Sequence, residues 1–168
     1  QKKLNDAMYY VIEKNSNNPN SQILHITGKR FYKEFMEDIE KKKIKLGKSI
    51  KILPYFYDMP KGLNIADLAI TSAGAITLSE ISAIGVPSIL IPKSYTAENH
   101  QEYNALAFED KGAAKVILEK DLTGRHLNEI INNIINDKNK LIEMSTNSRR
   151  IGNINASEKI VDIIDNLI

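Results

Sequence analysis

The chain has 168 residues, 23 basic and 21 acidic side chains, a formal net charge of +2 and no cysteine. That length suits one domain with a sizeable core, and the near balance of charge gives no basis for a nucleic-acid-binding face. Without cysteine there is no disulfide framework, no thiolate metal site and no cysteine nucleophile.

Leu4, Ala7, Met8, Val11 and Ile12 recur at helical spacing. The polar stretch from Asn15 to Asn20, with Pro19, ends that helix. Ile23 to Gly28 reads as a short buried strand closed by glycine. Phe31 or Tyr32, Phe35, Met36 and Ile39 mark a second amphipathic helix. The run Lys41-Lys42-Lys43-Ile44-Lys45 follows acidic residues and reads as its solvated C-terminal end. Ser49 to Pro54 is a second strand, stopped by proline. A short helical turn is expected between Asp58 and Asp67, then a strand over Leu68 to Thr71.

Gly74 breaks that strand, and Ala75 to Ile84 reads as a helix with Leu78 and Ile81 on its apolar face. Gly85 ends it, and Ser88 to Pro92 is the next strand. A helix from about Glu98 to Asp110 closes at Lys111-Gly112. Ala113 to Leu118 is a fifth strand. The remainder is helical: Leu127, Ile130, Ile131, Ile134 and Ile135 on one face, Leu141 and Met144 on the next, and Ile160, Val161, Ile164 and Leu167 on the last. Continuous apolar strands alternating with helices predict an α/β fold with a parallel sheet covered on both faces. The expected architecture is a Rossmann-like doubly wound sheet over residues 1–168, whose ligands bind beyond the carboxyl ends of the strands.

Three segments follow strands. The first is Pro54-Tyr55-Phe56-Tyr57-Asp58-Met59, with aromatic rings on which a base can stack. On composition the simpler reading is that Phe56 and Met59 cap the core. The second is Thr71 to Glu80. Its small residues around Gly74 let a ligand approach the backbone. The free N–H groups of a helix starting near Ala75 favour an anion such as a diphosphate. Thr77 adds a hydroxyl, and Glu80 can accept two hydrogen bonds from a ribose diol. The alternative is that Gly74 is only a turn and Glu80 only complements the helix dipole. The third is Glu98 to Ala105. Gln101 and Asn104 share a helix face, and amides that both donate and accept suit sugar hydroxyls. By itself this is an ordinary polar helix start. His100 has no partner pattern for nucleophilic or metal chemistry.

Together the three segments resemble the C-terminal half of the MurG glycosyltransferases, two-domain enzymes of the GT-B fold. The residues that carry the resemblance are Tyr55-Phe56-Tyr57-Asp58-Met59, then Ser72 to Glu80 with Gly85-Val86-Pro87, then Asn99 to Ala105. The resemblance implies transfer of N-acetylglucosamine from UDP-N-acetylglucosamine to undecaprenyl-pyrophosphoryl-N-acetylmuramyl-pentapeptide, with inversion, in peptidoglycan synthesis. It implies that Tyr55 caps the uracil and that the Phe56 backbone meets the uracil edge, with Met59 beside them. Ala75 and Ile76 would meet the sugar and phosphate region through their backbone, and Gly74, Leu78 and Ser79 would be substrate-binding with them. Thr77 would meet the diphosphate, Glu80 the ribose, and Gln101 and Asn104 the N-acetylglucosamine. No catalytic residue, metal or cofactor is expected in this chain.

Two departures from the family pattern matter. Ser72 stands where many members carry arginine. The chain opens at Gln1 within a helical pattern, without the glycine-rich loop and strand that precede this helix in the family. It therefore reads as a fragment lacking its first strand and the N-terminal acceptor domain. Donor binding without turnover is the expectation for the fragment. The full enzyme would be cytoplasmic, bound peripherally to the inner face of the membrane, and would take its lipid-linked acceptor through the missing half. Other readings are a different GT-B enzyme using a UDP-sugar, such as an epimerase, a non-catalytic donor-binding subunit with a partner chain, or a plain interaction module.

Overall fold

The computed structural model describes residues 2–94 and 99–152. The helical face expected over Ile160 to Leu167 lies outside them, as does the proposed helix start at Glu98. The elements in chain order are α1 (Lys2–Asn15), β1 (Ile23–Ile26), α2 (Tyr32–Lys41), β2 (Ile50–Leu53), α3 (Met59–Asn64), β3 (Ala69–Thr71), α4 (Ala75–Ile84), β4 (Ser88–Leu90), α5 (His100–Asp110), β5 (Ala114–Val116), α6 (Gly124–Ile135) and α7 (Lys138–Ile151). The alternation is the one the apolar pattern predicts. The strands are shorter than their apolar runs. Pro54 and Pro92 carry no N–H for a ladder, and pairing ceases before them.

The chain divides into two compact units. The first comprises Gln1–Met59 and Ile117–Asn136. The second comprises Pro60–Val116 and, among the described residues, the chain from Asp137 on. Among the described residues every strand pairing is parallel, as expected, and the hydrogen bonds gather into two sheets rather than one. In the first unit β1 pairs with β2, in register from Ile23 with Ile50 to Ile26 with Leu53. In the second the order is β3-β4-β5. Among the described residues, β1 and β3 are therefore each bonded to a strand along one edge only.

The first unit is built on α1, whose 3.6-residue period buries Ala7, Met8, Val11 and Ile12. This helix packs on α6. Tyr9 stacks on Phe35 at 4.5 Å between ring centroids, and its hydroxyl donates to Asp38 Oδ2 at 3.1 Å. Burial, then the bond to Asp38, holds the Tyr9 phenol above its usual range. His25 is buried on β1 against Phe35, and burial pushes its imidazole down to about 4. At the end of β1, Thr27 N–H bonds to the Leu53 carbonyl at 3.0 Å and the Asn5 amide donates to the Thr27 carbonyl at 3.1 Å. These bonds fix where the chain leaves the strand. The lysine run from Lys41 is the exposed C-terminal end of α2, with Lys41 paired to Asp38 at 3.7 Å.

In the second unit Ala73, Leu78, Leu90, Ala105, Phe108, Ala113 and Ala114 form one apolar cluster beneath α4 and α5. Burying a side chain such as Leu78 contributes roughly 2 kcal/mol. It also fixes which face of α4 turns outward.

Candidate functional site

The second unit holds most of the residues singled out above. β3 ends at Thr71, and Ser72, Ala73 and Gly74 carry the chain into α4. Gly74 is the N-cap of α4, with φ −71° and ψ 139°, and it offers no side-chain cap. The first intrahelical bond runs from Leu78 N–H to the Gly74 carbonyl at 3.0 Å. The N–H groups of Ala75, Ile76 and Thr77 precede that ladder and point out of the helix end. Ordinary φ and ψ make no demand for glycine at position 74. A Cβ there would meet no atom within 4 Å, so packing makes no demand either.

The opposite end of α4 is closed. Gly85 caps it in the left-handed region at φ 82°, with its N–H on the Ile81 carbonyl at 2.8 Å. Three side chains of α7 reach carbonyls at this end. Ser145 Oγ donates to the Gly85 carbonyl at 2.7 Å, Ser148 Oγ to that of Ile81 at 3.5 Å, and Arg149 Nε to that of Ile84 at 3.2 Å. The cation of Arg149 also complements the negative end of the helix dipole. Helix α4 is thus covered by α7 at its carboxyl end and open at its amino end, where partial positive charge collects.

The side chains around that open end divide by helix face. Ile76 is 80% exposed, and Thr77 and Glu80, three residues apart, share a face. Among the described residues the Glu80 carboxylate has no hydrogen-bond or ion-pair partner. Leu78 is buried in the cluster beneath, and its N–H is taken by Gly74. Ala75, Leu78, Ser79 and Asn104 line a groove of about 540 Å³ between α4 and α5, together with Phe108 and Ile151. Thr77, Glu80 and Gln101 are not among the groove's lining residues.

The two amides of α5 are tied to the loops that follow β4 and β3. Gln101 Oε1 accepts from Lys93 N–H at 3.1 Å. Asn104 Nδ2 donates to the Ala73 carbonyl at 3.5 Å. Because a backbone N–H requires an oxygen and a carbonyl requires an N–H, both amide orientations are fixed by their partners. Gln101 is left with an amino group to donate, and Asn104 with an oxygen to accept.

In the first unit, the loop after β2 carries the expected aromatic segment. Tyr55 is 49% exposed and Tyr57 85% exposed, and their rings meet edge to face at 4.8 Å. Phe56 and Met59 are half-buried. The loop after β1 adds a residue the sequence reading passed over. Lys29 Nζ stands 5.1 Å from the Tyr55 ring centroid and 6.0 Å from that of Tyr57. The cationic pair Lys29-Arg30 directly after Gly28 was the signal available for it. Lys93, held by Gln101, was also passed over. Among the described residues no group of three or more His, Cys, Asp or Glu side chains is placed to hold a metal ion.

Comparison with known proteins shows the family of the chain. The profile of the glycosyltransferase family 28 C-terminal domain matches residues 1–167. A UDP-N-acetylglucosamine--N-acetylmuramyl-(pentapeptide) pyrophosphoryl-undecaprenol N-acetylglucosamine transferase of Finegoldia magna is 46% identical over 165 residues, covering 98% of this chain and 44% of the relative. The transferase of the same name from Clostridioides difficile is 47% identical over 163 residues, covering 97% of this chain and 39% of the relative. The crystal structure of Acinetobacter baumannii MurG superposes with a TM-score of 0.83 at 28% identity, over 98% of this chain and 46% of that one. The glycosyltransferase VinC, 16% identical with a TM-score of 0.65, shares the fold. The chain thus spans less than half the length of the curated relatives it matches. It belongs to the glycosyltransferase family 28 C-terminal domain family.

Proposed function

We propose that this chain holds UDP-N-acetylglucosamine as the donor in an inverting transfer of N-acetylglucosamine to an undecaprenyl-pyrophosphoryl-N-acetylmuramyl-pentapeptide acceptor, the substrates for which its relatives are named. The observation that carries the reading is the asymmetry of α4: its carboxyl end is closed by α7, and its amino end is uncapped beneath a glycine that neither conformation nor packing requires. Such an end suits a diphosphate. In this reading the N–H groups of Ala75, Ile76 and Thr77 and the Thr77 hydroxyl receive the charge that grows on the diphosphate as UDP leaves, without a metal ion. Glu80 accepts from the ribose hydroxyls. Gln101 donates to, and Asn104 accepts from, the N-acetylglucosamine. For the first unit taken by itself, the resemblance assigns the uracil to Tyr55 and the Phe56 backbone.

The site that holds the acceptor, whose own hydroxyl attacks the anomeric carbon, and the base that takes its proton are assigned to the part of such relatives that these 168 residues do not match. Among the described residues no helix is long and apolar enough to cross a membrane. We place the full enzyme on the cytoplasmic face of the membrane, held peripherally, where a lipid-linked acceptor is reachable.

Titration calorimetry of the 168-residue chain tests the reading. UDP-N-acetylglucosamine should bind saturably and in preference to UDP-N-acetylgalactosamine, and Glu80→Ala should weaken it. Equal binding of the two sugars would favour a different UDP-sugar enzyme. Binding untouched by Glu80→Ala would overturn the ribose assignment.

A further inference from the structure

Within the first unit, the loops after β1 and β2 bring one cation onto two phenol rings. The ring faces carry negative charge density, and an ammonium within about 6 Å of a centroid is attracted to them. Lys29 meets that distance at both tyrosines, 5.1 Å from Tyr55 and 6.0 Å from Tyr57. The neighbouring Arg30 lies over Phe31 instead, at 5.5 Å. The tyrosine pair is exposed and held edge to face, an aromatic platform with a cation over its rings. Lys29 is itself exposed, on a flexible four-carbon stem, so its ammonium can leave the rings at small cost.

We infer that Lys29 is a displaceable cover for Tyr55: its ammonium rests on the rings until a pyrimidine nucleotide stacks there, and then transfers to that nucleotide's own phosphate. The inference rests on the donor-binding reading above and assigns Lys29 a role in it. A base cannot stack on the Tyr55 face while the ammonium covers it. A neutral nucleoside that evicts Lys29 loses the cation–π attraction and gives nothing back. A nucleotide carries its phosphates within the length of the ligand and recovers the cation as a charge-assisted hydrogen bond. Lys29 thereby discriminates nucleotides from nucleosides, and its removal moves the two ligands in opposite directions.

The test compares uridine and UDP by titration calorimetry on the wild-type chain, Lys29→Met, which keeps an apolar stem without charge, and Lys29→Arg. Lys29→Met should bind uridine about two- to fivefold more tightly, the worth of an exposed cation–π contact. It should bind UDP about three- to tenfold more weakly, the worth of one charged hydrogen bond less that contact. Lys29→Arg should keep the wild-type order. In the NMR spectrum of the wild-type chain, the Lys29 ε-methylene protons should show an upfield ring-current shift that UDP abolishes. Uridine and UDP moving in the same direction, or neither moving, would overturn the role of Lys29 while leaving wild-type UDP binding, and so the donor reading, intact. Failure of the wild-type chain to bind UDP would sink both.

Discussion

Two glycines bound α4, and the structure gives them opposite reasons. Gly85 is in the left-handed region at φ 82°, and a Cβ there would run into the Arg149 side chain. Gly74 has φ −71°, which any residue adopts, and its missing side chain leaves open space. Replacing Gly74 by alanine should therefore stabilise the fold, because alanine has less freedom to lose on folding. The gain at a compatible position is about 0.4–1 kcal/mol. The same methyl would occupy part of the open space at the helix end, where an anion bound to the N–H groups of Ala75, Ile76 and Thr77 would sit. Pushing an anion off even one of them forfeits a charged hydrogen bond worth about 1.5–3 kcal/mol, or roughly tenfold to a hundredfold in affinity. Gly85→Ala should do the reverse. The left-handed penalty of about 1–2 kcal/mol, with the loss of the Arg149 bond, should lower stability by about 2 kcal/mol. Donor affinity of the folded fraction should be unchanged. Urea unfolding and calorimetry with UDP-N-acetylglucosamine on both variants give four numbers. A Gly74→Ala chain that is stabilised and binds the donor like wild type would refute the claim that position 74 is kept open for a ligand.

Gln101→Glu keeps the oxygen that receives Lys93 N–H but removes the amino group left for the sugar. It should bind UDP as wild type does and UDP-N-acetylglucosamine about three- to tenfold more weakly by calorimetry, the worth of one neutral hydrogen bond; equal loss for both ligands would place the effect elsewhere. Donor binding should be unchanged after exhaustive treatment with EDTA, since helix N–H groups carry the diphosphate in this reading, and a loss restored by a divalent cation would oppose it. His25 predicts a stability slope. Its folded-state pKa of about 4 lies below the ordinary value of 6.5, so the unfolded chain binds the extra proton as pH falls through that interval. Stability should be on the order of 2 kcal/mol lower at pH 5 than at pH 8 from this group, and urea unfolding of His25→Phe should lack that component.

The alternation of strands and helices was legible because each strand lies in a short, mostly apolar run with glycine or proline close to it, although Lys51 and Lys115 interrupt β2 and β5. Glycine and proline are the residues that end pairing or permit a turn. Helix α4 was read to the residue, since Gly74 and Gly85 punctuate it and Leu78 and Ile81 mark its inner face. Helix α6 was read in place but too generously in its burial. Leu127 and Ile134 are buried and Ile135 is 39% exposed, because one helix offers only so wide a face to its neighbour. The pairing of strands was less legible. Sequence order says that parallel strands alternate with helices. It does not say that their hydrogen bonds gather as β1-β2 and β3-β4-β5.

What the sequence could not reveal about the candidate site is long-range. The uncapped start of α4 follows from local signals, but the closure of its far end depends on Ser145 and Arg149, 60 and 65 residues from the carbonyls they reach. Spacing suggested that Gln101 and Asn104 share a face and suit sugar hydroxyls. Spacing has no means of saying that each already spends one half of its amide on a neighbouring loop. That expenditure sharpens the functional reading. An amide free at both ends accepts any arrangement of hydroxyls, whereas one fixed by a backbone partner presents a single donor or a single acceptor in a set direction. Discrimination between two sugars that differ only in the orientation of one hydroxyl requires such fixed groups, because a rotated amide would satisfy either. If Gln101 and Asn104 hold the sugar as proposed, their loop bonds would be the source of selectivity rather than competition with it.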